Sequence, residues 1–268
     1  MWVAASLLCA QLTPRSDPPC SQMCIMSDFD RVYEIGPVFR AENSNTHRHL
    51  CEFTGLDFEM AIQEHYFEVL DVIDALFLHI FDGLTQRHAA ELAAVNGQHP
   101  FEPLQYLRPT LRLTFPEGVA MLQEAGIPVD PLGDLSTETE RQLGRLVKER
   151  YGTDFYILHR YPTAARPFYT MPCADDPRYT NSYDVFIRGE EIISGAQRVH
   201  DAAMLASRAG ECGIEVATIQ QYIDSFKFGA FPHGGAGVGL ERVVMLYLNA
   251  GNIRKTSMFP RDPKRLTP

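Results

Sequence analysis

The sequence predicts an α+β fold, in which a mainly antiparallel sheet is flanked by helices. Two observations predict it. Short runs with apolar and aromatic residues follow one another as hairpins, and no series of strand–helix–strand units interrupts them. One long stretch in the first half has helical spacing instead. The length of 268 residues and the 45% hydrophobic content suit one large domain or two small ones with a real core.

The first ordered element predicted along the chain is a long hairpin. Residues 1–27 read as irregular, because "TPRSDPPCS" holds three prolines in nine residues. The runs "RVYEIGPVFRAE" (31–42) and "CEFTGLDFEMAI" (51–62) read as strands. The polar segment "NSNTHRHL" joins them.

A helical block of about 64–155 is predicted next. The apolar spacing over 64–96 is that of a helix, and "LRLTF" (111–115) is a short strand. The segment "STETERQLGRLVKERYG" opens with a capping pattern and ends at Gly152, which predicts a capped helix.

Strands dominate the second half as well. "DFYILHRYP" and "RPFYTMP" are strand candidates bounded by proline, and "NSYDVFIRGEEIISGAQRVH" predicts a hairpin that turns at Arg188 and Gly189. "DAAMLASRAGECG" and "VATIQQYIDSFKFG" read as helices. The segment "PHGGAGVGLERVVMLYLNAG" predicts a glycine-rich turn that leads into a helix.

Charge and composition limit the classes of partner. The net charge of −10 means that a nucleic acid would be held through a local patch, since proteins that live on phosphate contacts are usually basic. No stretch of 18 uncharged apolar residues predicts a membrane span. The six cysteines form no compact framework, which suits a reducing compartment. Cys20 and Cys24 lack a second ligand pair at zinc spacing, so free cysteines are expected.

Charged and aromatic side chains gather on the predicted first hairpin. Alternate residues of a strand share a face, so Arg40 and Glu42 should point together. On the second strand the same spacing groups Phe53 and Gly55 with two carboxylates, Asp57 and Glu59. A solvated sheet face explains the charges alone, whereas the glycine beside an aromatic ring favours a flat surface for a planar group.

A second cluster lies in "EEIISGAQRVHD". Ser194 and Arg198 share a face by spacing, and Glu191 needs a bulge or a different edge to join them. An acid and a hydroxyl beside a phosphate site would suit Mg²⁺. An edge strand with ordinary surface charges is the alternative.

The third cluster is "HGGAGVGLERVV". It matches neither common phosphate-loop pattern, because position 240 is Leu. Its glycines, among them Gly239, permit close backbone approach, and Arg242 falls near a helix start that favours anions. A glycine-rich turn before a helix is also a common structural device.

Together these stretches resemble the class II aminoacyl-tRNA synthetases. "GPVFRAENSNTHRHLCEF" is similar to motif 2 of that family and "GGAGVGLERVV" to motif 3. "EFTGLDFEM", "ISGAQRVHD" and the terminal "FPRDPKRLTP" resemble the aspartyl-tRNA synthetases of the archaeal and eukaryotic cytosolic type. The resemblance runs over about 23–268 and implies a cytoplasmic ligase.

The resemblance implies a role for each cluster. Arg40 would bind the α-phosphate of ATP, Glu42 the adenine edge, and Phe53 would stack on adenine. Gly239 and Arg242 would contact ATP from the other side, with Arg242 reaching the γ-phosphate.

The resemblance also places the other substrates. Glu191 and Ser194 would hold Mg²⁺, and Arg198 would pair in forked fashion with the aspartate side chain. Asp57 would orient the substrate ammonium group. The loop residues expected to meet the tRNA acceptor end are Asn45, His47 and Arg48. The implied reaction is adenylation of aspartate followed by transfer to tRNA(Asp), driven by positioning and electrostatics.

The sequence departs from the family at its start. Motif 1, which supplies much of a homodimer interface, and the anticodon-binding domain are not found, and residues 1–22 read as foreign. Pro18 and Ser21 stand where the family carries a glutamine and a lysine that touches aspartate. The expected chain is therefore a truncated catalytic domain with an exposed apolar surface at the missing interface. The alternatives are a non-catalytic fragment or paralogue that binds nucleotide or a partner, and an asparagine-specific or amide-forming relative, which Arg198 disfavours.

Overall fold

The computed structural model of the chain describes residues 3–4 and 18–267. Within these residues one eight-stranded sheet has the order β1-β2-β3-β8-β7-β6-β5-β4. Its neighbours pair antiparallel except for β1–β2 and β4–β5, so the predicted α+β fold is confirmed. The strands are β1 (Val3–Ala4), β2 (Arg31–Phe39), β3 (Glu52–Ala61), β4 (Leu111–Thr114), β5 (Phe155–His159), β6 (Ser182–Ile187), β7 (Glu190–Gln197) and β8 (His233–Gly239).

The first hairpin forms as predicted, although its strands are shorter. β2 and β3 pair along their whole length, from Arg31 opposite Met60 to Phe39 opposite Glu52. The connection is a loop over 40–51, closed where the Arg40 amide donates to the Cys51 carbonyl at 2.9 Å. Arg40 and Glu42 therefore lie beyond β2, and the strand spacing that was expected to align them does not apply.

The helices of the described residues largely follow the predicted segments. The predicted helix over 64–96 is two helices, because His88 has a non-helical backbone at φ −123° and ψ 29°. The capped helix is confirmed, with Ser136 accepting from the Thr139 amide and Gly152 in the left-handed conformation. The helices are α1 (Pro18–Met26), α2 (Phe67–Arg87), α3 (Ala89–Gln98), α4 (Phe115–Glu124), α5 (Thr137–Tyr151), α6 (Ala202–Glu211), α7 (Gln220–Ser225) and α8 (Leu240–Tyr247).

Two helices were not predicted. The expectation of an irregular segment over 18–26 is wrong, since α1 begins at Pro18. Proline is tolerated in a first helical turn because its missing N–H would have no partner there. Helix α4 follows β4 at once: Thr114 and Glu117 form a reciprocal capping box, which ends the predicted strand one residue early. The other residues of the 1–17 segment, β1 apart, lie outside the described residues.

Two strand predictions also need correction. The glycine run expected as a turn is strand β8, which lies between β3 and β7 in the middle of the sheet. Conversely, "RPFYTMP" forms no strand and makes only isolated bridges, Thr170 to Arg198 and Pro172 to Thr180. Proline lacks the N–H that a ladder needs, which limits this segment to single bridges.

The β6–β7 hairpin turns where it was predicted to turn. Arg188 and Gly189 both have positive φ, 53° and 75°, as a tight two-residue hairpin turn requires. The register then shifts, with Val185 opposite Ile193 and Phe186 opposite Glu191. Ile192 is thus the extra residue of a bulge, and the bulge brings Glu191 into phase with Ser194.

Helices cover one face of the sheet fully and the other only at its margins. α2 and α8 pack on the first face, where Phe77, Phe81 and Val238 are buried. On the second face α4 and α5 cover the β4–β6 side, and α1 covers Val32 of β2. The middle of the second face is left open as a cleft. No helix among the described residues is both long and apolar enough to cross a membrane.

A buried histidine gives the fold a predicted acid sensitivity. His159 Nδ1 lies 2.7 Å from the Tyr66 hydroxyl, and burial lowers the pKa of His159 to about 4. A lowered histidine pKa stabilises the fold above the unfolded-state value near 6.5, and this contribution is lost as pH falls towards 4. Between pH 7 and pH 5 the free energy of unfolding should fall by about 2 kcal/mol more in the unaltered chain than in His159→Gln.

Urea denaturation at the two pH values checks this expectation. The matched control is His99→Gln, since His99 is exposed. An equal pH dependence in His159→Gln and the unaltered chain would show that His159 does not carry the effect.

Candidate functional site

A row of residues from five strands forms the floor of the open cleft. Asp57 of β3 pairs with Glu34 of β2 and with Gly237 of β8. Gly237 pairs in turn with Ser194 of β7, and Ser194 with Asp184 of β6. Directly paired residues point to the same face. Four polar side chains therefore form a row across the cleft floor, two on each side of Gly237.

The glycines of β8 keep this floor low. Alternate residues Gly235, Gly237 and Gly239 face the cleft, while the residues between them join the core. A Cβ atom on Gly237 would lie 2.6 Å from Asp57 Oδ1, and one on Gly239 would lie 3.8 Å from the Phe53 ring. The absence of these side chains lets the carboxylate lie over the strand and leaves the ring face open.

The cleft encloses a cavity of about 310 Å³ that gathers most of the predicted site. All the predicted residues line it except Asn45 and His47. Those that do are Arg40, Glu42, Arg48, Phe53, Asp57, Glu191, Ser194, Arg198, Gly239 and Arg242.

Two arginines flank the aromatic end of the cavity. The Arg40 guanidinium lies 5.1 Å from the centre of the Phe53 ring, a cation–π contact. Arg242, the third residue of α8, donates to the carbonyls of Glu191 (3.1 Å) and Arg48 (3.3 Å). Burial lowers the pKa of Arg242 and the nearby Glu191 opposes that shift. Both cations can therefore meet an anion placed between them.

The other end of the cavity is acidic. Burial raises the pKa of Glu191, and the neighbouring Asp184 raises it further. Asp184 Oδ1 is buried and receives no hydrogen bond from any described residue. Two desolvated carboxylates and the Ser194 hydroxyl are the donor set of a hard divalent cation such as Mg²⁺. Among the described residues no group of three or more His, Cys, Asp or Glu could hold a metal, so water and ligand oxygens would complete the shell.

Asp184 and Arg166 belong to this site although no motif marked them. Arg166 Nη2 donates to Asp184 Oδ2 at 2.7 Å, and Nη1 donates to Ser194 Oγ at 2.8 Å. The hairpin turn at 188–189, combined with the bulge that Glu191 needs to join Ser194, sets Asp184 opposite Ser194, so the sequence does contain a signal for this residue. Arg166 lies in a proline-bounded segment without periodicity and offers no such signal.

Arg198 is held by a partner inside the protein. Its Nε and Nη2 donate to the two carboxylate oxygens of Glu59 at 3.1 and 3.2 Å, and Nη2 also donates to the Gly235 carbonyl. Burial raises the pKa of Glu59 and Arg198 opposes that shift. A ligand carboxylate would therefore have to pair with Nη1, and the predicted forked contact through two nitrogens does not fit this arrangement.

The predicted nucleic-acid loop is docked on the protein. His47 Nε2 lies 3.0 Å from Glu190 Oε2, and Arg48 Nη1 lies 3.5 Å from Glu140 Oε2. Asn45 Oδ1 accepts from the Arg254 guanidinium. Side chains from three distant parts of the chain thus fix the course of the loop.

The sequence of the chain is similar to that of known proteins over most of its length. A family model described as "tRNA synthetases class II (D, K and N)" matches residues 14–263. The curated "Aspartate--tRNA ligase 2, cytoplasmic" of Arabidopsis thaliana is 68% identical over 247 residues, which are 92% of this chain and 44% of that protein. The chain thus spans about half the length of the curated relatives it matches.

Solved structures have the same architecture. The aspartyl tRNA synthetase from Entamoeba histolytica superposes with a TM-score of 0.96 at 53% identity, covering 100% of this chain and 55% of that chain. The asparaginyl-tRNA synthetase from Pyrococcus horikoshii, complexed with asparaginyl-adenylate, superposes with a TM-score of 0.79 at 29% identity, covering 92% and 56%.

Proposed function

Because the chain belongs to the class II tRNA synthetases of the D, K and N group, we propose that its cleft activates aspartate with ATP and transfers it to tRNA(Asp). The observation that carries this proposal is the polar row over Gly237, with two arginines at one end and two desolvated carboxylates at the other. The curated relatives are named as cytoplasmic aspartate–tRNA ligases, which supports the same substrates and compartment.

ATP binding uses the aromatic end of the cavity. Adenine stacks on the face of Phe53 that the Arg40 guanidinium covers in the absence of ATP, and Glu42 contacts the adenine edge. Gly239 gives the nucleotide room, because it brings no side chain to the floor. Arg40 and Arg242 then pair with the phosphates and stabilise the charge that develops during in-line attack on the α-phosphate.

Asp184 and Glu191, with Ser194, hold Mg²⁺ in this proposal. The bound ion supplies positive charge that offsets the charge of the triphosphate oxygens. The unpartnered Asp184 oxygen and the raised pKa of Glu191, caused by burial and by Asp184, support this assignment.

The amino acid lies over the central row. Asp57 orients its ammonium group, and Arg198 Nη1 meets its side-chain carboxylate. Glu59 and the Gly235 carbonyl fix the guanidinium, so this contact is preorganised. An asparagine amide is uncharged and would leave the Arg198 cation without a counter-charge from the ligand, which favours aspartate over asparagine.

The whole-protein partners are proposed on the same basis. A homodimer is the expected assembly, and the described surface offers apolar area for it. Phe39, Met258 and Phe259 are exposed, and the last two line a second groove with Pro37 and Arg261. Apolar side chains gathered in this way are typical of protein interfaces. The tRNA acceptor end would meet the loop over 40–51, beside the cavity.

A non-catalytic nucleotide-binding protein is the second candidate. Ser21 lines the cavity at the position where the resemblance implies a lysine that touches aspartate. A cleft without that cation could retain ATP yet activate aspartate poorly, since one positioned charge is worth about 10²–10³ in rate.

Aspartate-dependent ATP–pyrophosphate exchange on the purified chain separates the two candidates. The proposed ligase should exchange label with aspartate, far less with asparagine, and not without an amino acid. Equilibrium dialysis with ATP and Mg²⁺ runs in parallel. ATP binding without any aspartate-dependent exchange would favour the non-catalytic protein.

A further inference from the structure

Helix α5 and the loop over 40–51 meet at the turn of the β6–β7 hairpin. The loop has no regular structure between Arg40 and Cys51, so its shape depends on what touches it. α5 belongs to the block between the first hairpin and β5, and it carries none of the three clusters that resemble the family motifs. The contacts between them form what we term the α5 bracket: Glu140 and Arg141 of α5, Glu190 of β7, and His47 and Arg48 of the loop.

The first contact of the bracket is a shared carboxylate. Arg141 donates through Nε (3.2 Å) and Nη2 (2.8 Å) to Glu190 Oε1, while His47 Nε2 lies 3.0 Å from Oε2. Glu190 is buried, and its carboxyl group joins the helix to the loop through both of its oxygens.

The second contact joins Arg48 to Glu140. Arg48 Nη1 and Glu140 Oε2 lie 3.5 Å apart, and both atoms are buried without a hydrogen-bond partner among the described residues. Their separation is too long for a good hydrogen bond, and burial, with the nearby Glu191, raises the pKa of Glu140 to about 8, so this contact packs Arg48 against the helix and is weaker than the first.

Backbone packing places the bracket. A Cβ atom on Gly144 would lie 2.4 Å from the Cα of Gly189, at the tip of the β6–β7 turn. Two glycines thus allow the helix and the turn to touch through their backbones. This approach sets Arg141, one turn earlier on α5, within reach of Glu190, the residue that precedes the proposed Mg²⁺ ligand Glu191.

The opposite side of the loop has its own anchor. The Ile253 amide donates to the His47 carbonyl at 2.8 Å, and Arg254 Nη1 donates to the Thr46 carbonyl at 3.0 Å. The loop is thus gripped from two sides, and Asn43 and Ser44 before these contacts are exposed. Removing the bracket leaves one anchor in place, so the loop should loosen while the rest of the chain stays folded.

We propose that α5 positions the 40–51 loop for the acceptor end of tRNA, with Glu140 and Arg141 as positioning residues that act through His47 and Arg48. This inference rests on the proposed function. Of the two loop residues in the bracket, Arg48 lines the ATP cavity and His47 does not, and Arg141 acts on the loop at His47. Loss of the Arg141 contact should therefore weaken the encounter with tRNA more than the binding of ATP.

The test compares Arg141→Ala with Arg145→Ala, a matched arginine one turn further along α5 whose ion pair with Glu138 is exposed. Hydrogen exchange of the loop amides is measured on each purified chain, without any need for activity. Binding of a tRNA(Asp) transcript and of ATP is measured in parallel. Arg141→Ala should speed loop exchange and weaken tRNA binding, each by about tenfold, as expected for the loss of hydrogen bonds to a buried charge. Arg145→Ala should change neither.

The outcomes separate this inference from the proposed function. Unchanged loop exchange in Arg141→Ala overturns the bracket, whether or not the chain charges tRNA. Faster exchange with unchanged tRNA affinity, or an unaltered chain that binds no tRNA, overturns the positioning role and leaves a structural contact. Arg141→Lys keeps the charge but not the two-nitrogen contact and should fall between the variants. Absence of pyrophosphate exchange with loop and tRNA effects intact would count against the proposed ligase alone.

Discussion

Replacing Arg242 by alanine is expected to slow aspartate-dependent pyrophosphate exchange by about 10²–10³-fold, the usual loss when a preorganised charge contact is removed. Arg242 stands in the first turn of α8, and the carbonyls of Glu191 and Arg48 hold its guanidinium. Its positive charge therefore points into the cavity before ATP arrives. Because the triphosphate gains charge-assisted contacts there, the rate should suffer more than the fold.

The measurement pairs exchange kinetics with urea denaturation. The free energy of unfolding should change by only about 1 kcal/mol, since the hydrogen bonds of Arg242 go to two carbonyl oxygens and no ion pair within 4.0 Å joins it to a described residue. Arg40→Ala should behave in the same way, and Arg145→Ala serves as a surface control for the loss of an arginine. An Arg242→Ala chain that unfolds, or one that keeps full exchange activity, would contradict the assignment.

Arg198→Leu is expected to lower the free energy of unfolding by about 3–5 kcal/mol, the cost of leaving one partner of a buried ion pair alone. Glu59 is only 1% exposed and receives two hydrogen bonds from Arg198. This loss is a large part of the stability of a typical domain. A residue that served the substrate alone would lose only aspartate binding when replaced, whereas the buried pair with Glu59 predicts a large loss of stability as well.

A double variant separates the structural role of Arg198 from its substrate role. Glu59→Gln with Arg198→Leu removes both charges and should recover much of the unfolding free energy. The recovered chain should bind ATP and still fail to bind aspartate, because the cation is gone. Calorimetric titrations with each ligand check this, and aspartate binding by the double variant would show that Arg198 is structural only.

Local sequence patterns were sufficient to predict much of the fold and part of the candidate site. Fewer than twenty consecutive residues are enough to predict each of three features: the caps of α5, the turn at Arg188 and Gly189, and the start of α8 near Arg242. The spacing of Glu191 and Ser194 even required the bulge that Ile192 provides. These features depend on neighbours in sequence, which a single chain displays directly.

Features that depend on contacts between residues far apart in the sequence could not be predicted from it. β8 has the low strand propensity of glycine and is a strand because β3 and β7 pair with it on both sides. The resemblance gave Arg198 to the substrate, yet Glu59, 139 positions away, holds it. The docking of His47 and Arg48 on α5 likewise joins segments about ninety residues apart. The periodicity of a sequence does not indicate these long-range contacts, because they form only when distant segments pack together.

The central place of β8 also dictates when the cleft can exist during synthesis. β8 is the last strand in sequence among the described residues, yet it joins the β2–β3 hairpin to the β4–β7 half of the sheet. Until it emerges, β3 and β7 each present an unpaired edge, and the two halves have no common floor. Such long-range closure makes folding slow and leaves edges open to other chains. The newly made polypeptide is therefore most exposed to aggregation just before its glycine strand leaves the ribosome.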